Sequence, residues 1–244
     1  MKHIASILLT PIFYMLFIGL LIAFHPIQYM CLRFFGYHTH KNSVDLLNWC
    51  LMQCMRIMGT QISFLNFHEL PDGVPKIFVC NHQSMWDISP LIWKLKSYHM
   101  KFISKKELSK NIPSVSFNLK HGGSVTIDRG NPIEAKNKIK KFAKYINRHN
   151  YSVCIFPEGS RSRDGKLKPF KIGGIQTMLE IMPNALIVPI AIKNTAKFDN
   201  GGKFLKNPFV SVEFTMLPSK LIDISSLESE IEYIRTDIHK ILNA

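Results

Sequence analysis

The chain has 244 residues, enough for one large domain with an ample core or for a domain plus an appendage. Its 31 lysines and arginines stand against 17 aspartates and glutamates, a formal charge of +14. An excess of that size points to a polyanionic partner: nucleic acid, an anionic membrane surface or a phosphorylated substrate. A nucleic-acid binder would account for the charge but not for the N-terminus, and no nucleic-acid recognition motif is present.

From Ile4 to Phe24 there is no charged residue, only an apolar run softened by Ser6, Thr10, Pro11 and Tyr14. Its length, about 20 residues, is that of a membrane-spanning helix and exceeds a signal-peptide core. No small-x-small cleavage site follows it. His25-Pro26 predicts a break, and a second apolar stretch runs from Ile27 to Phe35. Two helices joined at Pro26 fit a span or a hairpin in one leaflet, so the pattern specifies attachment rather than topology. The alternative is a buried N-terminal helix of a soluble core. We therefore divide the chain into a membrane-associated helical segment, 1–36, and an α/β domain, 37–244, with a motif-bearing core at 75–192. For a single span, the lysines and arginines that follow place the domain on the cytoplasmic side. Cys31, Cys50, Cys54, Cys80 and Cys154 are odd in number and lie in apolar contexts, as in a reducing compartment. Cys50-x3-Cys54 lacks further soft ligands nearby and reads as buried small hydrophobes, not as a metal site.

Residues 42–58 read as an amphipathic helix, with Leu47, Leu51, Cys54, Met55 and Met58 at helical spacing and Gly59 as its stop. Strand patterns follow at 77–80, 102–104, 125–127, 152–156, 186–192 and 209–216. A helix is predicted over 131–148, where Asn131 caps, Pro132 takes the first position and Glu134 completes a capping box. Ala135, Ile139, Phe142, Ala143 and Ile146 form its apolar face, while Lys136, Lys138, Lys140, Lys141, Lys144 and Arg148 point outward. A last helix spans 227–242. Alternating strands and helices argue for an α/β fold with a mostly parallel central sheet flanked by helices. In such sheets sites gather past the carboxyl ends of strands.

His82 and Asp87 follow one such strand. Five positions apart, they would lie roughly 140° apart on a continuous helix and could not pair. Ser84-Met85-Trp86-Asp87 is a Ser-x-x-Asp capping pattern, however, which starts the helix after His82. Asp87 can then fix the imidazole tautomer, and the free nitrogen can take a proton from an alcohol. Taken alone, the pair fits equally well a helix-capping aspartate and a satisfied surface histidine. Phe156-Pro157-Glu158-Gly159-Ser160-Arg161 adds a carboxylate, a glycine that lets a ligand approach backbone, and a guanidinium suited to phosphate. Arg129 and Lys105 follow two further strands, and Arg163, Lys166, Lys168 and Lys171 lie beyond Arg161. Cations converging on a His/Asp pair point to a phosphorylated alcohol as nucleophile.

These blocks resemble a known family. His82-x4-Asp87, Gly123-x3-Ile127-Asp128-Arg129, Phe156-Pro157-Glu158-Gly159-Ser160-Arg161-Ser162 and Val188-Pro189-Ile190 fall in the order of the four blocks of glycerolipid acyltransferases. The nearest branch looks like the bacterial 1-acyl-sn-glycerol-3-phosphate acyltransferases. The resemblance implies an α/β domain on a membrane-embedded N-terminal helical motif, at a bacterial inner membrane. It implies that His82, held by Asp87, is the general base for the sn-2 hydroxyl of lysophosphatidic acid, which attacks an acyl thioester directly to give phosphatidic acid. Glu158, Gly159 and Ser160 would shape the acceptor site, and Arg129, Arg161 and Lys105 would hold its phosphate. No cofactor beyond the donor, acyl-CoA or acyl-ACP, and no metal is implied. Backbone amides of the turn after His82 are candidates for the oxyanion site. Ser160 stands where threonine is usual, and Thr126 where an aromatic or aliphatic residue is usual. The alternatives are the same chemistry on another lysophospholipid or lyso-aminolipid, and a non-catalytic protein binding anionic lipid. The basic face from Lys136 to Lys144 is a candidate docking surface for an acidic acyl carrier protein.

Overall fold

The structure is a computed structural model that describes every residue except Met1 and Arg129. It opens with helix α1, Lys2–Ile57. The break expected at Pro26 is absent, and the helix runs through both Pro11 and Pro26. The chain around Pro26 is held from outside, since Ser114 Oγ donates to the Leu21 carbonyl at 2.7 Å and Ser114 N–H donates to His25 Nδ1 at 3.1 Å. The helix breaks instead at Gly36, whose φ of 81° and ψ of −174° are open to a residue without Cβ and costly for any other. Beyond Gly36 the buried face is Val44, Leu47, Leu51, Cys54 and Met55, at the expected helical spacing.

The first half of α1 has an inverted pattern. Its protein-facing side buries Ser6, Thr10, Phe13, Leu21, Phe24 and Gln28, whereas Ile4, Leu8, Ile12, Met15, Ile18, Ile22, Phe34 and Phe35 are exposed. The helix is long and apolar enough to cross a membrane. Its inner side is fastened to the domain: Ser6 Oγ donates to the Lys206 carbonyl at 2.7 Å, and Lys206 N–H donates to Thr10 Oγ1 at 3.1 Å. Phe13 and Phe17 lie edge-on to Trp86, with centroids 4.9 and 5.0 Å away.

The remaining elements in chain order are β1 (Gln61–Leu65), β2 (Lys76–Cys80), α2 (Ile88–Lys94), β3 (Met100–Lys105), α3 (Val115–His121), β4 (Val125–Ile127), α4 (Pro132–His149), β5 (Ser152–Ile155), α5 (Gly173–Leu179), β6 (Leu186–Lys193), α6 (Thr195–Asp199), β7 (Ser211–Met216) and α7 (Leu227–Asn243). The seven strands form one sheet in the order β1-β7-β6-β2-β5-β3-β4. Every neighbouring pair is parallel except β6 and β7. The expected mostly parallel α/β fold is therefore present. The edge strand β1 lies outside the predicted set.

Strand periodicity divides the core. In the central strand β2, Phe78 and Cys80 join Phe13, Met55, Trp86, Leu91 and Phe214 on the α1/α2 side. Ile77 and Val79 face Ile139, Phe142, Ile175, Ile231 and Ile238 of α4, α5 and α7 on the other. All five residues of β2 are buried, which fixes the strand that carries His82 at the middle of three layers. The capping box predicted for α4 is half made. Asn131 Oδ1 accepts from Glu134 N–H at 3.1 Å, but the Asn131 amide is taken by the Asp128 carbonyl and the Glu134 carboxylate pairs with Lys138 at 2.8 Å.

Candidate active site

His82 lies two residues past Cys80, the last residue of β2, and the next turn is a short 3-10 helix, Met85–Asp87. Ser84 caps it with its side chain, and Asp87 closes the box by accepting from the Ser84 amide. The cap sets the bend that five positions of regular helix would deny. It turns the Asp87 carboxylate back on the imidazole, with Oδ2 2.7 Å from His82 Nδ1. The same oxygen accepts from Gln83 N–H at 2.9 Å and Ser84 N–H at 3.1 Å. The other, Oδ1, accepts from the Thr195 hydroxyl. Asp87 is fully buried, and each of its contacts is a donor. A carboxylate so placed accepts, so the hydrogen of a neutral His82 sits on Nδ1 and Nε2 keeps its lone pair.

Loops from neighbouring strands hold the histidine backbone. Its N–H donates to Glu158 Oε1 at 2.7 Å, and its carbonyl accepts from Ser162 N–H at 2.7 Å. Its ring stacks on Phe156, with centroids 4.1 Å apart and planes at 20°. Asn81 extends the β2–β6 pairing with its side chain, bonding both the carbonyl and the amide of Ile192.

Glu158 is 4% exposed. Its Oε2 accepts from the Ser162 hydroxyl at 2.5 Å and from Lys168 N–H at 3.1 Å. Burial pushes its carboxyl above the usual range, against the lowering effect of these hydrogen bonds. The carboxylate therefore ties the turn after β5 to the end of β2. Gly159 adopts φ +69° at the tip of that turn, with its amide on the Phe156 carbonyl. Ser160 Oγ and the Arg161 carbonyl both take the Lys168 ammonium, at 3.0 and 2.7 Å. The Arg161 side chain is half-buried, and it has no ion-pair partner among the described residues. Lys105 ends β3, largely exposed and 3.4 Å from Glu107. Arg129 lies outside the described residues. Because β2, β5 and β3 are adjacent, His82, Glu158, Arg161 and Lys105 come to one edge of the sheet.

One expectation is narrowed by geometry. The amides of Gln83 and Ser84 are spent on Asp87, and that of Trp86 on Ser84 Oγ at 3.1 Å. They are not free for an oxyanion. Conversely, Thr195 and Gln83 were not singled out from sequence. Gln83 Oε1 accepts from the Thr195 hydroxyl and the Ala196 amide, each at 3.3 Å, binding the start of α6 to the histidine turn. Behind them Trp86 Nε1 donates to Asp199 Oδ1 at 2.8 Å, and Lys206 Nζ pairs with the same oxygen at 2.6 Å.

A central parallel sheet with a histidine–aspartate pair at the carboxyl end of its middle strand defines a class. The family model described as Acyltransferase matches residues 61–193, and the chain belongs to that family. It is 34% identical over 145 residues to the 1-acyl-sn-glycerol-3-phosphate acyltransferase of Cocos nucifera, a match that covers 58% of this chain and 44% of that one. It is 27% identical over 231 residues to the enzyme of the same name from Limnanthes douglasii, covering 95% and 76%. The chain thus spans about half to three quarters of the length of these curated relatives. The crystal structure of the 1-acyl-sn-glycerophosphate acyltransferase from Thermotoga maritima superposes with a TM-score of 0.77 at 21% identity, over 99% of this chain and 95% of that one. That likeness establishes the shared fold.

Proposed function

We propose that the chain is a membrane-associated enzyme that transfers an acyl group from a thioester to the sn-2 hydroxyl of 1-acyl-sn-glycerol 3-phosphate, forming phosphatidic acid. The observation that carries this reading is the buried Asp87, whose donors leave His82 Nε2 as an acceptor at the sheet edge to which Arg161 and Lys105 also come. The names of the relatives agree with it.

In the proposed reaction His82 Nε2 takes the proton of the hydroxyl as its oxygen attacks the thioester carbonyl. Asp87 stabilises the imidazolium through Nδ1. The tetrahedral intermediate collapses, the carbon–sulfur bond breaks, and the thiolate takes the proton back from His82. No acyl-enzyme is formed. Arg161 and Lys105, with Arg129, neutralise the acceptor phosphate. Gly159 and Ser160 line its approach, while Glu158 holds the His82 backbone. The exposed Ile, Leu and Phe side of α1 supports lipid contact, because contiguous apolar surface on that scale is otherwise a liability. We place the α/β domain on the cytoplasmic face of an inner-type membrane.

The test is acyl transfer to lysophosphatidic acid by membranes carrying the wild type or His82→Ala at equal expression. Phosphatidic acid made by the wild type and lost in the variant is the expected result. Activity that survives in the variant refutes the base, and transfer only to other lyso-lipids refutes the acceptor.

A further inference from the structure

Two sets of cations lie around His82, and the loop after β5 contributes to both. Lys105 and Arg161 follow β3 and β5, on one side of β2. On the other side, past β6, a groove of about 820 Å³ opens between the 163–167 loop, the 193–201 segment and the last turns of α7. It begins at Gln83, next to His82 in the chain. Its walls carry Arg163, Lys166, Lys193, Lys197 and His239 against a single carboxylate, Asp164. Among the described residues none of these lysines or Arg163 is in an ion pair. Lys193 makes one long contact, 3.4 Å, with the Ile241 carbonyl.

Arg163 is laid along the rim. A Cβ on Gly202, where φ is +89°, would meet its side chain at 3.4 Å, so the turn leaves room for the arginine by having none. The family match ends at Lys193, so the wall formed by 194–243 lies outside it.

We propose that this groove holds the nucleotide end of a coenzyme A thioester. That end carries a diphosphate and a ribose phosphate, and needs several fixed cations in a polar cleft of nucleotide size. The lysolipid has one phosphate and a long apolar chain, which a groove with so few apolar walls does not suit. Attack at His82 requires donor and acceptor to arrive from different directions; Lys105 ends β3 on one side of β2, while Lys193 and Lys197 lie at and after the end of β6 on the other, where the loop after β5 brings Arg163 and Lys166 to meet them. The identification of the ligand as a donor rests on the proposed transfer reaction; nucleotide binding itself does not.

The test uses the full chain in detergent micelles, with wild type, Lys166→Ala/Lys197→Ala and Lys166→Arg/Lys197→Arg. Both positions are exposed, which leaves the fold intact. Coenzyme A binding is measured by calorimetry. Turnover is measured with acyl-CoA and with the matching acyl-pantetheine, which lacks the nucleotide. The alanine pair weakens coenzyme A binding and raises the KM for acyl-CoA roughly tenfold, the size of one lost charged contact. It leaves the KM for lysophosphatidic acid and the acyl-pantetheine rate within twofold, and the arginine pair restores binding. Equal losses with both donors, or a loss confined to the acceptor KM, overturns the assignment. So does the absence of saturable coenzyme A binding to wild type, including the case of a protein active only with a carrier-protein thioester. Coenzyme A binding that weakens in the alanine pair, in a protein that acylates nothing, would keep the groove and refute the reaction.

Discussion

Thr195→Val removes one buried hydroxyl and changes little else in shape. The side chain is fully buried, and its hydroxyl is the donor to Asp87 Oδ1, the oxygen that does not face His82. A hydrogen bond to a charged group contributes about 1.5–3 kcal/mol, and the valine leaves that oxygen buried without it. Part of the loss falls on folding. For a chain of this length each kcal/mol lowers the melting midpoint by about 2–4 °C, so with half of the loss on folding a drop of roughly 2–6 °C is expected. The rest falls on catalysis, because in the proposed reaction Asp87 orients the ring that accepts the proton. If half of the bond energy is felt only in the transition state, kcat falls roughly three- to tenfold while the KM for either substrate holds. Steady-state kinetics at a temperature well below the melting midpoint separates these effects, and Thr195→Ser restores the rate. A Val variant with kcat within twofold of wild type would refute the idea that α6 helps to set the His82–Asp87 pair.

Two other outcomes follow from charge. Burial under Tyr37 and Tyr151, helped by nearby Lys41, lowers the Lys101 ammonium from 10.5 to about 8. Between those values the unfolded chain binds more protons than the folded one, so this group's contribution to stability rises with pH across that window. The melting midpoint of wild type relative to Lys101→Met should therefore increase from pH 7.5 to 9.5; a constant difference argues against it. On α4, charge reversal at Lys140 and Lys141 should slow turnover with an acyl-carrier-protein thioester and spare acyl-CoA. Lys140 already pairs with Glu180 at 3.5 Å, so the larger share of any effect belongs to Lys141.

The elements readable in advance were those with a strong local signature. Long apolar runs marked β2, β5 and β6, and a capped amphipathic face marked α4. The edge strand β1 has five residues, none buried, so its pattern carries little apolar signal. The kink went to Gly36 instead of Pro26 because side chains far along the chain hold the helix around the proline. At the site, Ser84 and Asp87 were legible because their bond spans three residues. Thr195 meets Asp87 across 108 positions and leaves no local trace. Glu158 was recognisable as a site residue, but motif spacing does not say which way a carboxylate points; here it binds the His82 amide.

The fastening of α1 changes what can be cut away. Phe13 is fully buried, with Trp86 at 4.9 Å and Phe198 at 5.8 Å, and Trp86 is the residue before Asp87. The boundary between the exposed apolar side and the domain-facing side thus runs around the circumference of this helix, not across the chain at a residue number. Deleting the helix to make a water-soluble enzyme would unroof the aromatic cluster behind Asp87 and free the Lys206 backbone that Ser6 and Thr10 hold. A soluble version has to keep the inner stripe and repaint the outer one.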